Sequence, residues 1–192
     1  MPERDIIQHE ITTYAALARV VAEDASVAQK IEQAAALCAK SLRSGGKILA
    51  VGNGGSCADA IHFCEELTGR YRDDRAPIAA LACADAGHIT CTANDYGFEH
   101  IFARWVEAIA RPGDVLVALS TSGNSVNITR AVDAAKTRDA RVLTLLGKGG
   151  GELKGMGDLE WIVPGDTADR IQELHMLVLH ALVGAIERAV AS

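Results

Sequence analysis

The sequence predicts an α/β fold, a doubly wound five-stranded parallel sheet of the flavodoxin-like sandwich type with an N-terminal helical hairpin. The first observation behind this prediction is that short apolar segments alternate with segments of helical periodicity from residue 47 onwards. The second is that the apolar segments are nearly uninterrupted, as in strands that are covered on both faces. The third is that the first 45 residues show two helical patterns and no strand.

Length and composition are those of one globular domain. The chain has 192 residues, of which 49% are apolar and 23% are charged, which is enough apolar material for a sizeable core. We therefore expect a single domain over 1–192, in which helices within 1–45 cover the sheet or contact another subunit and 46–192 form the α/β core. The net charge of −6 argues against a nucleic-acid partner but is compatible with a small anionic ligand.

No segment predicts export or membrane insertion. The charged N-terminus lacks the apolar core of a signal peptide. Residues 171–190 form the longest apolar segment, but the polar and charged residues within it make it too polar for a membrane span. The five cysteines are odd in number and form no CxxC pair, which indicates reduced thiols that pack as small core residues. We therefore expect a cytoplasmic protein without a membrane partner.

The elements can be assigned in chain order. Apolar residues at helical spacing predict the hairpin helices over 5–21 and 26–42. Asp24 or Ser26 is a suitable N-cap for the second of them, and Gly45 follows it. The predicted strands are 47–51, 78–83, 114–119, 141–146 and 159–163. The predicted helices around the sheet are 56–68, 97–110, 125–137 and 167–191.

Two loops of this sheet are variants of one device. Residues 49–56 and 116–125 each lead an apolar strand into small polar residues and glycine, and then into a helix. Such a loop directs unpaired backbone N–H groups and the positive end of a helix dipole at one point, which makes an anion site. Because ligands of doubly wound sheets bind beyond the carboxyl ends of the strands, the two loops can converge. Residues 147–151 form a third such loop, which we expect to be more mobile.

The loop at 120–125 predicts a phosphate site, with Gly123 allowing close approach of the backbone. Its four hydroxyls are those of Ser120, Thr121, Ser122 and Ser125. The alternative is an ordinary helix-capping loop, but a cap needs one such polar residue and this loop offers five. It is not a P-loop, since GxxxxGK[ST] is absent, and 52–55 does not begin a dinucleotide fingerprint, since Cys57 occupies the position of the third glycine.

The helix after the first loop carries His62 and Glu66 on one face, because the two residues are four positions apart. A histidine and a glutamate at this spacing can bind one metal ion, or act as a positioned base and its neighbour. The alternative is a solvated polar pair on a helix surface.

The last helix supplies Gln172 and His180, two polar residues in an almost wholly apolar pattern. Such a helix is usually buried, and burying polar groups without partners is costly. The alternative is a core histidine with a hydrogen-bond partner. Eight helical residues rise about 12 Å, so the two side chains meet only at something between them, such as a metal ion, or serve different parts of a site, in one subunit or in two.

Asn94 and Asp95 are further candidates. They follow the second predicted strand by a loop and have the side chains to bind sugar hydroxyls. The alternative is a role in capping or at the surface.

In combination these residues resemble the sugar isomerase (SIS) domain family and, within it, the bacterial phosphoheptose isomerases. The motifs are Gly-Asn-Gly-Gly-Ser at 52–56, Asp59, His-Phe-Cys-Glu-Glu-Leu-Thr-Gly-Arg at 62–70, Ala-Asn-Asp-Tyr-Gly at 93–97, Ser-Thr-Ser-Gly-Asn-Ser at 120–125, and Arg-Ile-Gln-Glu-Leu-His at 170–175 followed by His180. The resemblance covers nearly the whole chain. It implies a SIS-type sheet and a homotetramer with active sites at the subunit interfaces.

The resemblance also implies the residues of the site. Substrate contacts are implied for Asn53, Gly54, Gly55, Glu66, Asn94, Asp95, Ser120, Thr121, Ser122, Ser125 and Gln172. One zinc ion per subunit is implied, with the ligands His62, Glu66, Gln172 and His180. Glu66 and His180 are implied as the catalytic acid/base pair.

The implied activity is aldose–ketose isomerisation of a sugar phosphate, sedoheptulose 7-phosphate, through an enediol. One alternative is a non-catalytic SIS protein that binds a replication initiator. Such relatives look like proteins that lack the histidines and the glutamate of the site. Another alternative is an isomerase for a different sugar phosphate, because sugar length is read by loop details.

Overall fold

A computed structural model of the chain describes residues 3–191. Its strands are β1 Ile48–Val51, β2 Ala80–Ala82, β3 Val115–Ser120, β4 Arg141–Leu146 and β5 Leu159–Ile162. Its α-helices are α1 Glu3–Glu23, α2 Ala25–Arg43, α3 Gly55–Thr68, α4 Ala86–Tyr96, α5 Ile101–Ile109, α6 Val126–Thr137 and α7 Ala168–Ala191. Two 3₁₀ segments span Phe98–His100 and Lys148–Leu153.

The five strands form one parallel sheet in the order β2-β1-β3-β4-β5, so the predicted doubly wound fold is confirmed. Alternate residues of each strand face opposite sides, and both sides are covered by helices. On one side α2, α3 and α7 cover residues such as Ile48 and Val115. On the other side α5 and α6 cover residues such as Leu49 and Leu116. Coverage of both faces explains why the strands read as uninterrupted apolar runs.

The N-terminal hairpin is present, and its two helices are buried to different extents. The N-cap of α2 is Asp24, whose carboxylate accepts a hydrogen bond from the backbone N–H of Ser26 at 2.9 Å. Helix α2 packs along α7 and contributes Ala34, Ala35 and Cys38 to the core. Helix α1 has one buried residue among those described, Val21, and reaches α7 through partly buried Tyr14 and Leu17.

One helix was not predicted, and one predicted boundary is wrong. Residues 86–96 form α4, which begins at the N-cap Asp85, although a single residue of this helix, Thr92, is buried. A helix with so little buried surface shows no clear apolar period, so its sequence gave no helical signal. The helix predicted over 97–110 is instead a 3₁₀ turn followed by α5.

Helix α7 is long and apolar enough to cross a membrane by length and composition alone, with a mean hydropathy of 1.5. The expectation that its polar residues exclude a span was therefore too strong. In the fold, α7 packs in the core beneath the sheet, where Ile171, Val178 and Leu182 are fully buried. This is the position of the central helix of a globular protein.

The cysteines are free thiols throughout the part of the chain that the structure describes. Cys38, Cys64 and Cys83 are buried, and burial raises the pKa of each thiol to about 12. The expectation of core packing is wrong for Cys91, which is exposed on α4.

Candidate active site

The two predicted anion loops lie at the switch point of the sheet. β1 and β3 are neighbours, and the helix after β1 packs on one face while the helix after β3 packs on the other. Their loops therefore diverge and leave a crevice at the carboxyl ends of the two strands, the place where doubly wound sheets bind ligands. In this crevice Asn53, in the loop after β1, and Asn127, in the first turn of α6, exchange two side-chain amide hydrogen bonds of 2.9 and 2.8 Å.

The loop after β3, here called the hydroxyl loop (120–125), is held largely by its own side chains. Ser120 Oγ accepts from the N–H of Gly123 at 3.1 Å, and Ser122 Oγ accepts from the N–H of Asn124 at 3.1 Å. Gly123 has a φ of +67°, and a Cβ there would overlap the carbonyl oxygen of Gly150. The Lys148–Leu153 segment thus buttresses this loop, and the N–H of Leu153 donates to the carbonyl of Gly123. The greater mobility expected for 147–151 stays a prediction.

An anion site remains at the end of the hydroxyl loop. Helix α6 begins there without a side-chain cap at Ser125. Among the described residues, the N–H groups of Val126 and Asn127 in its first turn have no protein acceptor. These donors, the nearby hydroxyls and the helix dipole together favour an oxyanion such as a phosphate.

The loop after β1, here called the glycine loop (52–55), is open and is held from outside. Its Gly54 has a φ of +55° and caps α3 with no side-chain hydrogen bond. Gly55 packs against the amide of Gln172, since a Cβ at Gly55 would lie 2.5 Å from both Nε2 and Oε1 of that side chain. The sequence-predicted residues Asn53, Gly54, Gly55 and Gln172 are therefore brought together at the start of α3.

A second cluster lies farther along α3, where it packs against α7. Nε2 of His62 and Nε2 of His180 each lie 3.4 Å from Oε1 of Glu66. The Glu66 side chain is 9% exposed, whereas His62 is 48% and His180 38% exposed, so a buried carboxylate faces two accessible imidazoles. The two rings meet edge to face at a centroid distance of 5.2 Å. The pairing of His62 with Glu66 and the inclusion of His180 both follow the sequence prediction.

This cluster fits a divalent metal ion. Its ligand atoms all lie within 4.8 Å of one another. Two ligand atoms bound tetrahedrally at about 2.0–2.1 Å from zinc are about 3.4 Å apart, which matches the two nitrogen–oxygen distances. Among residues 3–191, the buried Oε2 of Glu66 also has no hydrogen-bond partner, a state that a bound cation would relieve. Two histidines and a glutamate are a common ligand set for zinc sites with an open position.

Gln172 is not brought into this metal cluster. Its amide lies against Gly55, and His180 follows eight residues later, about 12 Å along α7. Both residues do line one open cleft of about 780 Å³ between α3 and α7. A role of Gln172 as a metal ligand therefore stays a prediction.

Two residues of this cleft were missing from the predicted site. Asp59 lies one turn before His62 on α3, and burial raises the pKa of its carboxyl to about 6, an effect that His62 partly offsets. Its spacing to His62 and Glu66 could have revealed it, since positions 59, 62 and 66 share one helix face. Tyr71 stacks on the ring of His180 at a centroid distance of 5.8 Å, a long-range contact without a sequence signal.

Asn94 and Asp95 lie elsewhere. The expectation that they sit in a loop after β2 is wrong, because they occupy the last turn of α4. Both are exposed, and the Asn94 amide donates to the Asp95 carboxylate at 2.7 Å. Cys91 donates to the same carboxylate at 3.6 Å.

Comparison with known proteins assigns this architecture to a class. Residues 12–147 match the SIS domain, which makes the chain a sugar isomerase domain protein. A phosphoheptose isomerase of Tolumonas auensis is 49% identical over 190 residues, which cover 98% of each chain. The chain therefore belongs to the phosphoheptose isomerase family.

Solved structures agree with this assignment. The phosphoheptose isomerase of Francisella tularensis superposes with a TM-score of 0.92 at 35% identity, covering 98% of this chain and 100% of its own. That of Neisseria gonorrhoeae gives a TM-score of 0.88 at 38% identity, covering 96% and 98%. The resemblance drawn from the sequence motifs is confirmed.

Proposed function

We propose that this protein converts sedoheptulose 7-phosphate to D-glycero-D-manno-heptose 7-phosphate through an enediol, the first step of ADP-heptose synthesis for the lipopolysaccharide core. The observation that carries the proposal is the buried Glu66 carboxylate that faces His62 and His180 in a phosphoheptose isomerase fold, with His180 lining an open cleft. A carboxylate in this setting is suited to carry a proton between adjacent carbons.

The chemistry follows from the residue types. Glu66 removes a proton from C1 of the open-chain ketose and returns it to C2, because one base must reach both carbons. His180, 3.4 Å from Glu66, opens the sugar ring and moves protons between the two oxygens. Its orientation is supported by Tyr71, which stacks on the imidazole ring. When bound, zinc would supply Lewis-acid polarisation of the substrate carbonyl.

The proposed zinc ligands are His62, Glu66, Gln172 and His180. The first, second and fourth are close enough to share one ion as they stand. Gln172 would reach it only by leaving Gly55.

The remaining proposed contacts hold the substrate in place. Ser120, Thr121, Ser122 and Ser125 of the hydroxyl loop hold the phosphate. Asn53, Gly54, Gly55 and Gln172 contact the sugar, as do Asn94 and Asp95. Holding the distal phosphate places the reacting carbons and lowers the entropic cost of reaction.

We propose that the active site is completed between subunits of a homotetramer. The Glu66 cluster lies on the face of the sheet covered by α3 and α7, whereas the hydroxyl loop leads into α6 on the opposite face. Glu66 also lies eleven residues beyond Gly55, about 16 Å along α3 from the crevice that the glycine loop and the hydroxyl loop share. A hydroxyl loop from a neighbouring subunit would shorten that distance.

Exposed apolar side chains support such an assembly. Ile6, Ile7, Ile11 and Val20 of α1 are 50–58% exposed, and exposed Phe98 and Val126 lie beside Asn53 at the crevice. Patches of this kind mark interaction surfaces. We propose that 1–192 acts as one SIS domain in the cytoplasm, with 1–45 providing subunit contacts and with no nucleic-acid or membrane partner.

The test is an assay of the purified protein against a panel of ketose phosphates of five, six and seven carbons. Turnover is expected with sedoheptulose 7-phosphate and to fall at least 10²-fold in Glu66→Gln, the range for loss of a general base. The matched control is Glu107→Gln, since Glu107 is an exposed glutamate on α5, on the opposite side of the sheet from the cluster, and is expected to leave turnover unchanged. A folded Glu66→Gln protein with full turnover would overturn the mechanism.

A parallel assay with a chelator distinguishes a catalytic role of the metal from a structural one. If zinc is catalytic, chelation lowers turnover at constant melting temperature, and readdition restores it; if it is structural, the melting temperature falls as well. Turnover of a pentose or hexose phosphate alone would identify that sugar phosphate as the substrate instead. The initiator-binding alternative is not favoured, because the histidines and glutamate of the site are present and assembled.

A further inference from the structure

We propose that Arg75 is the positioning residue that sets the geometry of the His62–Glu66–His180 cluster, an inference that rests on the function proposed above. Arg75 lies in the connection between α3 and β2 and belongs to none of the motifs of the predicted site. Its guanidinium nonetheless makes five hydrogen bonds, of which one goes to the carbonyl of the adjacent Ala76 and four connect it to elements that carry the cluster.

The first part is the backbone of α3 itself. Nη2 of Arg75 donates to the carbonyl of Glu66 at 2.6 Å, and Nη1 donates to the carbonyl of Leu67 at 2.8 Å. These carbonyls belong to the last turn of α3, which has no basic residue of its own. A cation that satisfies the final carbonyls stabilises a helix end by hydrogen bonds and by its charge. The last turn carries Glu66, so Arg75 fixes the backbone from which that carboxylate extends.

The second part is the connection that carries Tyr71. Nη1 of Arg75 also donates to the carbonyl of Gly69 at 3.2 Å, which closes the chain from 69 to 75 into a short loop. Within that loop, Tyr71 stacks on His180 and lies 3.7 Å from the position of a Cβ on Gly184, one turn farther along α7. Closing the loop therefore presses Tyr71 against the helix that bears His180.

The third part is α7. Nε of Arg75 donates to Oε1 of Glu187 at 2.8 Å, and the two side chains are 17% and 16% exposed. Glu187 lies two turns after His180 on the same helix. A charged pair so sheltered from water is a stronger link than a surface pair. It ties the end of α3 to α7, and so fixes the register in which Glu66 and His180 meet.

The flat fork of arginine is needed for this role. One guanidinium directs its N–H groups at two helix carbonyls, a loop carbonyl and a carboxylate at once, whereas a lysine ammonium has three donors and no plane. We therefore expect Arg75→Lys to keep the charge and to lose the simultaneous hydrogen bonds to these groups. The matched control is Arg141→Lys, because Arg141 also pairs with a carboxylate, Asp158 at 2.7 Å, but lies at the start of β4 and is 63% exposed.

The experiment measures zinc affinity by chelator competition, kcat and KM for sedoheptulose 7-phosphate, and the melting temperature of the full chain. Arg75→Lys is expected to weaken zinc binding about 10- to 100-fold and to lower kcat more than it changes KM, as loss of an outer partner of a metal site does. Arg141→Lys is expected to match the wild type within twofold. A folded Arg75→Lys protein with wild-type zinc affinity and kcat overturns the proposal.

A second variant covers the case in which Arg75→Lys does not fold. Glu187→Gln keeps the bonds to the carbonyls and weakens the link to α7 alone, so it should lower zinc affinity without unfolding α3. The ring proton NMR signals of His180, identified by their loss in His180→Gln, are expected to shift in Glu187→Gln and not in Arg141→Lys. Unchanged signals and zinc affinity in Glu187→Gln overturn the proposal.

The same measurements distinguish failure of the proposed function from failure of the positioning role of Arg75. If the wild type neither binds zinc nor turns over the sugar phosphate, the function fails, and the NMR signals still report whether Arg75 and Glu187 hold the imidazoles. Signals that shift in both variants then support the positioning role on their own.

Discussion

The glycine loop and the hydroxyl loop begin as the same device and differ in how they are held. The hydroxyl loop satisfies its own backbone through Ser120 and Ser122 and rests on the Lys148–Leu153 segment. The glycine loop lacks such bonds and takes its shape from Asn127 and Gln172, which belong to other elements. One loop is therefore built before any ligand arrives, and the other depends on its neighbours.

This difference suits two tasks. A phosphate has a constant shape and charge, so a rigid cradle binds it without a cost of rearrangement. The glycine loop begins the helix that carries His62 and Glu66 and contacts the helix that carries His180, so a shift at either helix reaches it. Changes that act on one loop alone test this difference.

Gly123→Ala is expected to have the largest effect. The new Cβ would overlap the carbonyl of Gly150, and an alanine is strained at a φ of +67°. Overpacking and left-handed strain together should lower the free energy of unfolding by about 2–5 kcal/mol. Urea denaturation measures this, and inorganic phosphate should protect the variant less than it protects the wild type. Wild-type stability would show that the hydroxyl loop is not rigid.

Lowering the pH is expected to weaken the support of the hydroxyl loop. His175 is fully buried behind the end of β4, and burial lowers its pKa to about 4, an effect that the backbone of Leu146 partly offsets. The next residue, Gly147, packs against the carbonyl of Thr121 in the hydroxyl loop.

The sign follows from proton binding. Between about pH 6.5 and 4 the unfolded state holds a proton on His175 that the folded state lacks, so the contribution of His175 to stability falls as the pH falls through this window, by about 3 kcal/mol in total. Asp59, with its raised pKa, contributes with the opposite sign below about pH 6, so the loss is measured as the difference between the denaturation curves of the wild type and His175→Leu from pH 7.5 to 4. The exposed His9→Gln serves as control and should keep the wild-type slope.

Asn127→Ala tests the dependence of the glycine loop. It removes both amide bonds to Asn53 and leaves that side chain unpaired, which should cost about 1–3 kcal/mol and raise KM more than it lowers kcat. Hydrogen exchange should speed up at 53–57. The comparison variant is Asn124→Ala, which cuts the bond from the N–H of Glu152 to Asn124 and should loosen 150–153 instead. Identical exchange patterns would contradict the separation of the two loops.

Gly54→Ala is expected to have the smallest effect. Its φ of +55° disfavours alanine, but a Cβ there has no atom within 4 Å among the described residues. With a ψ of −120° the residue has a conformation that only glycine adopts freely, and backbone strain alone predicts a loss of about 1–3 kcal/mol in the free energy of unfolding, without the overlap that Gly123→Ala adds. A loss as large as that of Gly123→Ala would mean that the glycine loop is as tightly packed as the hydroxyl loop.

The sequence predicted the elements that have strong apolar patterns. The five strands and α7 were found because their apolar residues are contiguous or periodic, and Asp24 was found as a cap because its residue type suits that role. Helix α4 was missed because its surface is mostly exposed, and Asn94 and Asp95 were then assigned to a loop.

The site was predicted where spacing along one helix decides the geometry. His62 and Glu66 were paired from their separation of four, but the meeting of Glu66 with His180 came from family resemblance rather than from spacing. Tyr71, Arg75 and Asn127 act through contacts between distant segments, which no local pattern encodes.

Helix α7 also acts as a gauge. Gln172 contacts the glycine loop and His180 contacts Glu66. The distance between these two contact points is set by the rise of an unbroken helix. Inserting one residue between them would lengthen the gauge by about 1.5 Å and rotate His180 by about 100° away from Glu66. The loops and the neighbouring subunits can therefore adapt to a ligand of different length. The spacing between Gln172 and His180 along α7 cannot change without separating His180 from Glu66.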